Sequence, residues 1–271
     1  MNDKWDLYDR LIILLGPFKQ SWCEAVTDLD AKIHLYFDRI SRSVLGDTLL
    51  GALDYWLFPG TRDSWGGPFN GQAARRRLFL ALIDKFAPSA ILETGTYRGT
   101  TTEFMAETGL PIFTIESSRR LYGYSRMRLY QRSNVKVLHG DSRKNAEELL
   151  RGPLRELKHR TIFAYLDAHW EHDLPLAEEL DIIFSECHGA IVMIDDFEVP
   201  TDTGYRYDRY KSGKALTRAH IASMIEKHAL VLVHPSTPSS QETGSKRGCA
   251  VLGINSIHGA QLRGMELLRS I

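Results

Sequence analysis

Glu93-Thr94-Gly95-Thr96-Tyr97-Arg98-Gly99-Thr100-Thr101 follows the apolar run Ala90-Ile91-Leu92 and opens a segment of helical character. A strand, a glycine-containing turn and a helix in that order make the start of a βαβ unit. Gly95 permits a tight turn and a close approach of backbone to a ligand, and Gly99 lets the helix begin beside it. The dinucleotide fingerprint needs three glycines, spaced G-x-G-x-x-G, and this turn does not have that spacing. A helix amino end usually receives a polyanion. Glu93 at the strand end suits a cationic ligand better.

The same alternation continues on both sides of this turn. A helix over residues 75–86 leads in, and a helix from about Thr100 leads out. Strands are predicted over 111–116, 135–139, 161–166 and 190–194, and helices over 119–132, 145–151, 174–187 and 213–227. Two further strands, 230–234 and 249–252, have no helix between them, which favours an antiparallel hairpin closing the sheet. Short apolar strands alternating with helices mean a parallel sheet buried on both faces. Ligand loops then gather at the carboxyl ends of the strands.

Acids stand at three successive strand ends. Glu93 ends the first, Glu116 (followed by Ser117) the second, and Gly140-Asp141-Ser142 follows the third. An acid at the second position fits a ribose diol, and a polar pair at the third could hold the amino group of a purine. The fourth strand ends in Leu166-Asp167-Ala168-His169-Trp170 and the fifth in Ile194-Asp195-Asp196-Phe197. Neighbouring strand ends would bring Asp167, Asp195 and Asp196 into one crevice. Three carboxylates there repel one another unless a cation or a proton intervenes. Oxygen-rich ligation suits Mg²⁺ or a similar hard ion, so these three are the candidate metal ligands. His169 is the candidate general base, with His172 on the same loop as a weaker one. Asp195 could instead cap the following segment, and Asp196 could accept backbone or Arg hydrogen bonds.

These residues resemble the class I S-adenosylmethionine-dependent methyltransferases over about residues 75–253. The resemblance implies a Rossmann-like α/β fold with a seven-stranded sheet, its last strand antiparallel, and helices on both faces. Carried over by position, Glu93 and Gly95 lie by the methionine part of the cofactor and Glu116 holds the ribose. Asp141 and Ser142 lie near the adenine, and Thr96, Tyr97, Gly99, Thr100 and Thr101 contribute backbone and hydroxyl contacts, with Ser117 and Asp167 also lining the cofactor. The Asp167-Ala168-His169-Trp170 and Asp195-Asp196-Phe197 pair is similar to the metal-dependent O-methyltransferases of natural-product sugars, such as the macrocin and mycinamicin enzymes, and to the cephalosporin-hydroxylase-like group. That similarity implies methyl transfer to a hydroxyl of a sugar, polyketide or phenol, with Asp167 and His169 catalytic. Two other readings stay open: a nicotinamide-dependent oxidoreductase, and a non-catalytic partner module that keeps the cofactor fold.

Composition sets the outer bounds. The 271 residues, 43% hydrophobic and 25% charged, supply a sizeable core. Lys+Arg 34 against Asp+Glu 34 gives no basic excess, which argues against a generic nucleic-acid binder. Cys23, Cys187 and Cys249 are too scattered for a disulfide framework or zinc spacing. No run is long enough for a membrane span, and Asp3 and Asp6 break any leader pattern, so a cytoplasmic protein without membrane partners is expected. Residues 1–74 read as an N-terminal helical extension, able to pair chains or cover the pocket, and residues 75–271 as the cofactor domain. Within the extension, 59–71 is a loop whose Trp65 and Phe69 either cover the site or pack as a connector. Arg75-Arg76-Arg77 reads as a solvated helix face. The stretch Tyr205-Arg206-Tyr207-Asp208-Arg209-Tyr210-Lys211 reads either as a stacking surface for a sugar or as a packed loop.

Overall fold

The central strands of the parallel core are buried on both faces, so the sheet needs cover on both sides, and the chain supplies it. The structure is a computed structural model that describes residues 46–157, 160–169, 173–211 and 213–270. After a helical segment over 46–57 and three short 3-10 turns, α1 spans Ala73–Phe86 and β1 Ala90–Thr94. Then follow α2 (Thr100–Ala106), β2 (Ile112–Glu116), α3 (Arg119–Leu129), β3 (Val135–His139), α4 (Ser142–Arg151), β4 (Ile162–Leu166), α5 (Leu176–Glu186) and β5 (Ala190–Asp195). The chain continues through α6 (Ala222–Lys227), β6 (Leu230–Pro235), β7 (Cys249–Ile254), α7 (Asn255–Arg263) and β8 (Leu268–Arg269).

The strands form one sheet in the order β3-β2-β1-β4-β5-β7-β6-β8. β1 to β5 pair in parallel, and β7 runs antiparallel to both β5 and β6. This is the expected Rossmann-like sheet with its antiparallel hairpin. One correction applies: the two-residue β8 adds an eighth strand on the edge beside β6. Nothing in two residues separates such a strand from a loop.

Alternation along the strands divides the core. Ala90, Leu92, Ala164, Leu166, Val192 and Ile194 face α4, α5 and α6. Ile91, Phe163, Tyr165, Met193 and Val251 face α1, α2 and α7. Local chemistry sets the helix starts. The Asp141 side chain accepts from the Arg143 and Lys144 N–H groups, so α4 begins at Ser142 rather than at residue 145. The helix expected over 213–227 shrinks to α6. Its first half spends its backbone on other partners, with Tyr210 N–H on the Lys214 carbonyl and Leu216 N–H on the Asp208 carbonyl.

The unit Asp47–Ile271 is compact, so residues 47–74 of the expected extension share a unit with the sheet. Asp54 takes a two-pronged ion pair from Arg120 of α3 (2.6 and 3.0 Å). Phe69 is wholly buried against Phe79, Phe104 and Tyr165, while Trp65 is 65% exposed. The loop 59–71 is thus a packed connector at Phe69. The expected chain pairing through earlier helices falls on residues 1–45, and Cys23 with it, outside the described residues. Among the described residues, no helix is long and apolar enough to cross a membrane. Cys187 and Cys249 are buried free thiols.

Candidate active site

β1 sends its crossovers to β2 on one side and its sheet neighbour on the other side is β4, so the carboxyl ends of β1 and β4 flank the point where ligands bind in open α/β sheets. The loops after these two strands touch. Asp167 N–H donates to the Thr94 carbonyl (3.0 Å), and Gly95 adopts φ +82° against the Asp167 backbone. Tyr97, with φ +50°, donates its N–H to Glu116 Oε2 (2.7 Å), and Ser118 N–H donates to Oε1 (2.8 Å). Burial raises the Glu116 pKa, and these N–H groups with that of Ser117 oppose the rise. Each carboxylate oxygen has two acceptor positions, so Glu116 is fixed in place with capacity left for a diol.

Other residues of the expected cofactor set take different places. Glu93 is turned beneath the loop, where Oε2 accepts from the hydroxyls of Thr102 (2.5 Å) and Thr114 (2.6 Å). Burial pushes it up to about 8. Thr96 shares a hydrogen bond with Thr114 (2.6 Å). Thr101 accepts from Phe69 N–H (3.1 Å), and the Thr100 hydroxyl lies between the Arg62 carbonyl and Arg128. Those hydroxyls anchor the 59–71 connector. Gly99 is the left-handed residue before α2. Ser117 is exposed, with its carbonyl on His139 (3.1 Å). Asp141 caps α4 and pairs with Arg143, which also reaches Asp173 and Glu178. Ser142 is buried at the head of α4, beside Glu179 of α5. Burial pushes Glu179 up to about 7, against the pull of the Ser142 and Thr94 hydroxyls. The sequence reading did not single out Glu179, since an acid in the first turn of a helix ordinarily serves the helix dipole.

The Glu93 shift gives a stability prediction. Its folded pKa lies above the ordinary carboxyl value, so the folded chain keeps a proton that the unfolded chain loses. Stability therefore falls as pH rises from about 4.5 to about 8, by up to about 1.4 kcal/mol per unit from this group. Glu93→Gln should flatten that slope. Denaturant melts at pH 5 and pH 8 measure it; equal slopes in variant and parent would show that Glu93 ionises freely.

The two aspartates ending β5 point to opposite sides. Asp195 faces the core, 1% exposed, and pairs with Arg75 of α1, itself 3% exposed. Its Oδ2 accepts from the Tyr165 hydroxyl (2.6 Å) and Asn70 Nδ2 (3.0 Å). Two expectations change here: Asp195 does not join the other carboxylates, and Arg75 is not on a solvated face. Period-two alternation puts Asp195 on the face of Met193, while Asp196 stands one residue past β5 at a left-handed φ and takes other partners, so the two part at the strand end. Arg77 is exposed as expected. Arg75→Met should cost about 3–5 kcal/mol, because Asp195 would remain buried without its cation. Equilibrium unfolding reads it; a loss under 1 kcal/mol would mean that the pair carries little.

Asp167 and Asp196 do converge, with His169 between them. Ligand atoms of these three residues lie within 4.8 Å of one another. His169 Nε2 stands 3.7 Å from Asp167 Oδ1, 3.8 Å from Asp196 Oδ2 and 3.7 Å from Asp208 Oδ2. Burial works to lower the His169 pKa, but Asp196, Asp167 and Asp208 outweigh it and raise it. Burial pushes Asp167 up to about 7. Burial would raise Asp196 as well, yet His169 and the Arg247 guanidinium hold it at about 2. Arg247 Nε donates to Asp196 Oδ1 (2.6 Å), and its Nη2 pairs with Asp208 Oδ1. Asp196 sits at φ +54°, a left-handed conformation costly for a non-glycine residue and common at functional sites. Asp208 belonged to the aromatic and basic stretch already noted, without a role of its own. Arg247 carried no signal, since only the β5–β7 pairing brings a residue 51 positions away beside Asp196. Trp170 and His172 lie outside the described residues.

No protein-family model and no curated protein sequence matches the chain. In fold, the chain is similar to the O-methyltransferase from Bacillus cereus in complex with SAH, at 16% identity and a TM-score of 0.48, over 80% of this chain and 97% of that one. It is also similar to the O-methyltransferase TomG from Streptomyces achromogenes, involved in tomaymycin synthesis and bound to SAM. There the identity is 18% and the TM-score 0.46, over 82% of this chain and 96% of that one.

Proposed function

We propose that the protein is an S-adenosylmethionine-dependent O-methyltransferase acting on a hydroxyl of a small molecule (a sugar, polyketide or phenol), assisted by a divalent cation. The observation that carries this reading is the convergence of Asp167, His169 and Asp196 just past the carboxyl ends of β4 and β5, with Glu116 at the end of β2. An acidic crevice suits a sulfonium nucleoside better than a dinucleotide, and the glycine spacing disfavours the oxidoreductase alternative. A partner module that only kept the fold would have no use for buried acids with displaced pKa values.

The donor set fits a cation. Asp167 and Asp196 each turn one oxygen toward the cluster. Two carboxylates suit Mg²⁺ or a similar hard ion such as Mn²⁺, and oxygen ligation leaves the His169 Nε2 lone pair for the acceptor's proton. S-adenosylmethionine, when bound, supplies a methyl group already carrying its leaving group, and a divalent ion supplies Lewis acidity at the acceptor hydroxyl. The chain's part is to align the acceptor and take its proton. His169 Nε2 takes that proton once the charge of its acids is offset. In their uncompensated field the pKa of the imidazole is raised, which works against that role.

Glu116→Ala should weaken S-adenosylhomocysteine binding at least about tenfold, the loss of a charged acceptor from the ribose. Calorimetric titration measures this, and an unchanged affinity would refute the ribose assignment. Methyl transfer that survives exhaustive chelation would refute the cation.

A further inference from the structure

We propose that Asp208 is a third acidic member of this site and that Arg247 is the positioning residue that sets it there. The inference rests on the cation reading above and extends it to two residues outside that set. Asp208 comes from the 196–221 connection between β5 and α6, more than a dozen residues past the strand end, yet its Oδ2 is as close to His169 Nε2 as Asp167 Oδ1 is, at 3.7 Å. Its backbone is held at both polar groups: Asp208 N–H donates to the Asp196 carbonyl (3.0 Å), and Leu216 N–H donates to the Asp208 carbonyl (3.0 Å). Arg206 N–H on the Lys246 carbonyl (2.9 Å) and Gly248 N–H on the Arg206 carbonyl (2.7 Å) stitch the same segment to the lead-in of β7. The side chain is held as well, because the Tyr210 hydroxyl donates to Oδ2 (2.9 Å).

Arg247 completes the arrangement with one planar group on two acids. Nε takes Asp196 Oδ1 and Nη2 takes Asp208 Oδ1. The opposite oxygen of each, Asp196 Oδ2 and Asp208 Oδ2, is left facing the imidazole. A rigid fork can hold two carboxylates at a fixed separation, which a flexible ammonium cannot. Carboxylates crowded on one centre would otherwise splay apart. With two of the three pinned by their outer oxygens, the inner oxygens stay presented without reorganisation when a ligand arrives.

The test uses the full chain with Mn²⁺ as the probe, its binding followed by electron paramagnetic resonance. Arg247→Met and Asp208→Asn should each weaken Mn²⁺ at least about tenfold, and Arg247→Lys should recover part of the loss. S-adenosylhomocysteine affinity should stay within about twofold in all three, since no cofactor-side residue is touched. A general folding defect would lower both affinities together. Hydrogen exchange supplies the second arm: Arg247→Met should speed exchange at the Asp208 and Leu216 amides while leaving the strand amides of β1 and β4 unchanged. Mn²⁺ affinity at the parent level in Asp208→Asn would remove Asp208 from the site. Unchanged exchange in Arg247→Met would overturn the positioning role of Arg247. A parent chain that binds S-adenosylhomocysteine but no Mn²⁺ would sink the cation reading and the place of Asp208 in it, while the exchange arm would still judge the clamp.

Discussion

Asp167→Asn should lower methyl transfer about 10³-fold while leaving the melting temperature unchanged or raising it by up to about 3 °C. The two halves of that result have one cause. Partial burial pushes the Asp167 carboxyl up to about 7, so its charge costs the folded state free energy at neutral pH. The amide has nearly the same shape, keeps the backbone bond to Thr94, and removes the charge. What it also removes is an anionic oxygen from the set around His169. A residue kept only for the fold would behave the other way, with stability falling and activity following it. The measurement pairs thermal melts with transfer of labelled methyl from S-adenosylmethionine to a panel of sugars, polyketides and phenols. Activity within tenfold of the parent would remove Asp167 from the chemistry.

Gly95→Ala should be nearly as damaging, by a different route. A methyl group at Gly95 would land on the Asp167 carbonyl oxygen and stand 2.6 Å from its carbon and 2.9 Å from the Ala168 nitrogen. These are backbone atoms, with no flexible side chain to give way. The backbone at φ +82° adds the usual left-handed penalty of about 1–2 kcal/mol. Separating the β1 and β4 loops should cost about 3–5 kcal/mol in all and abolish S-adenosylhomocysteine binding. Gly109→Ala is the control, because Gly109 has a similar φ of +74° and nothing within 4 Å of the added methyl. It should cost only about 1 kcal/mol. Equal losses at the two positions would show that backbone strain, not loop contact, is what Gly95 relieves.

The fold was legible because periodicity and punctuation agreed. Val135–His139 reads as a strand from five residues and is one, and the parallel pairing of β1 to β5 follows from their alternation with helices. The site was legible where a strand delivered it: Glu116, Asp167, His169 and Asp196 all stand at or just beyond strand ends. It was not legible where long-range geometry delivered it. Arg247 precedes β7 by two residues, and only the antiparallel return of that strand beside β5 puts it against Asp196. Arg75 looked like one of three surface cations, but α1 turns it inward toward Asp195. Asp195 itself was assigned to the crevice because a pair of aspartates at a strand end looks like one feature. The left-handed turn that begins at Asp196 makes it two. Glu93 shows the same limit: its position at a strand tip is evident, but which way the carboxyl turns depends on Thr102 and Thr114.

That divided pair bears on how such a chain can change over generations. The first aspartate answers to the interior and the second to the crevice, so the two are exposed to separate selective pressures. If Asp196 serves the proposed methyl transfer, a lineage that abandoned it could shed Asp196, and with it a strained backbone conformation, while Asp195 and Arg75 stayed to keep the molecule folded. On that proposal, the first aspartate retained without the second in a related chain would mark a scaffold that has outlived the reaction.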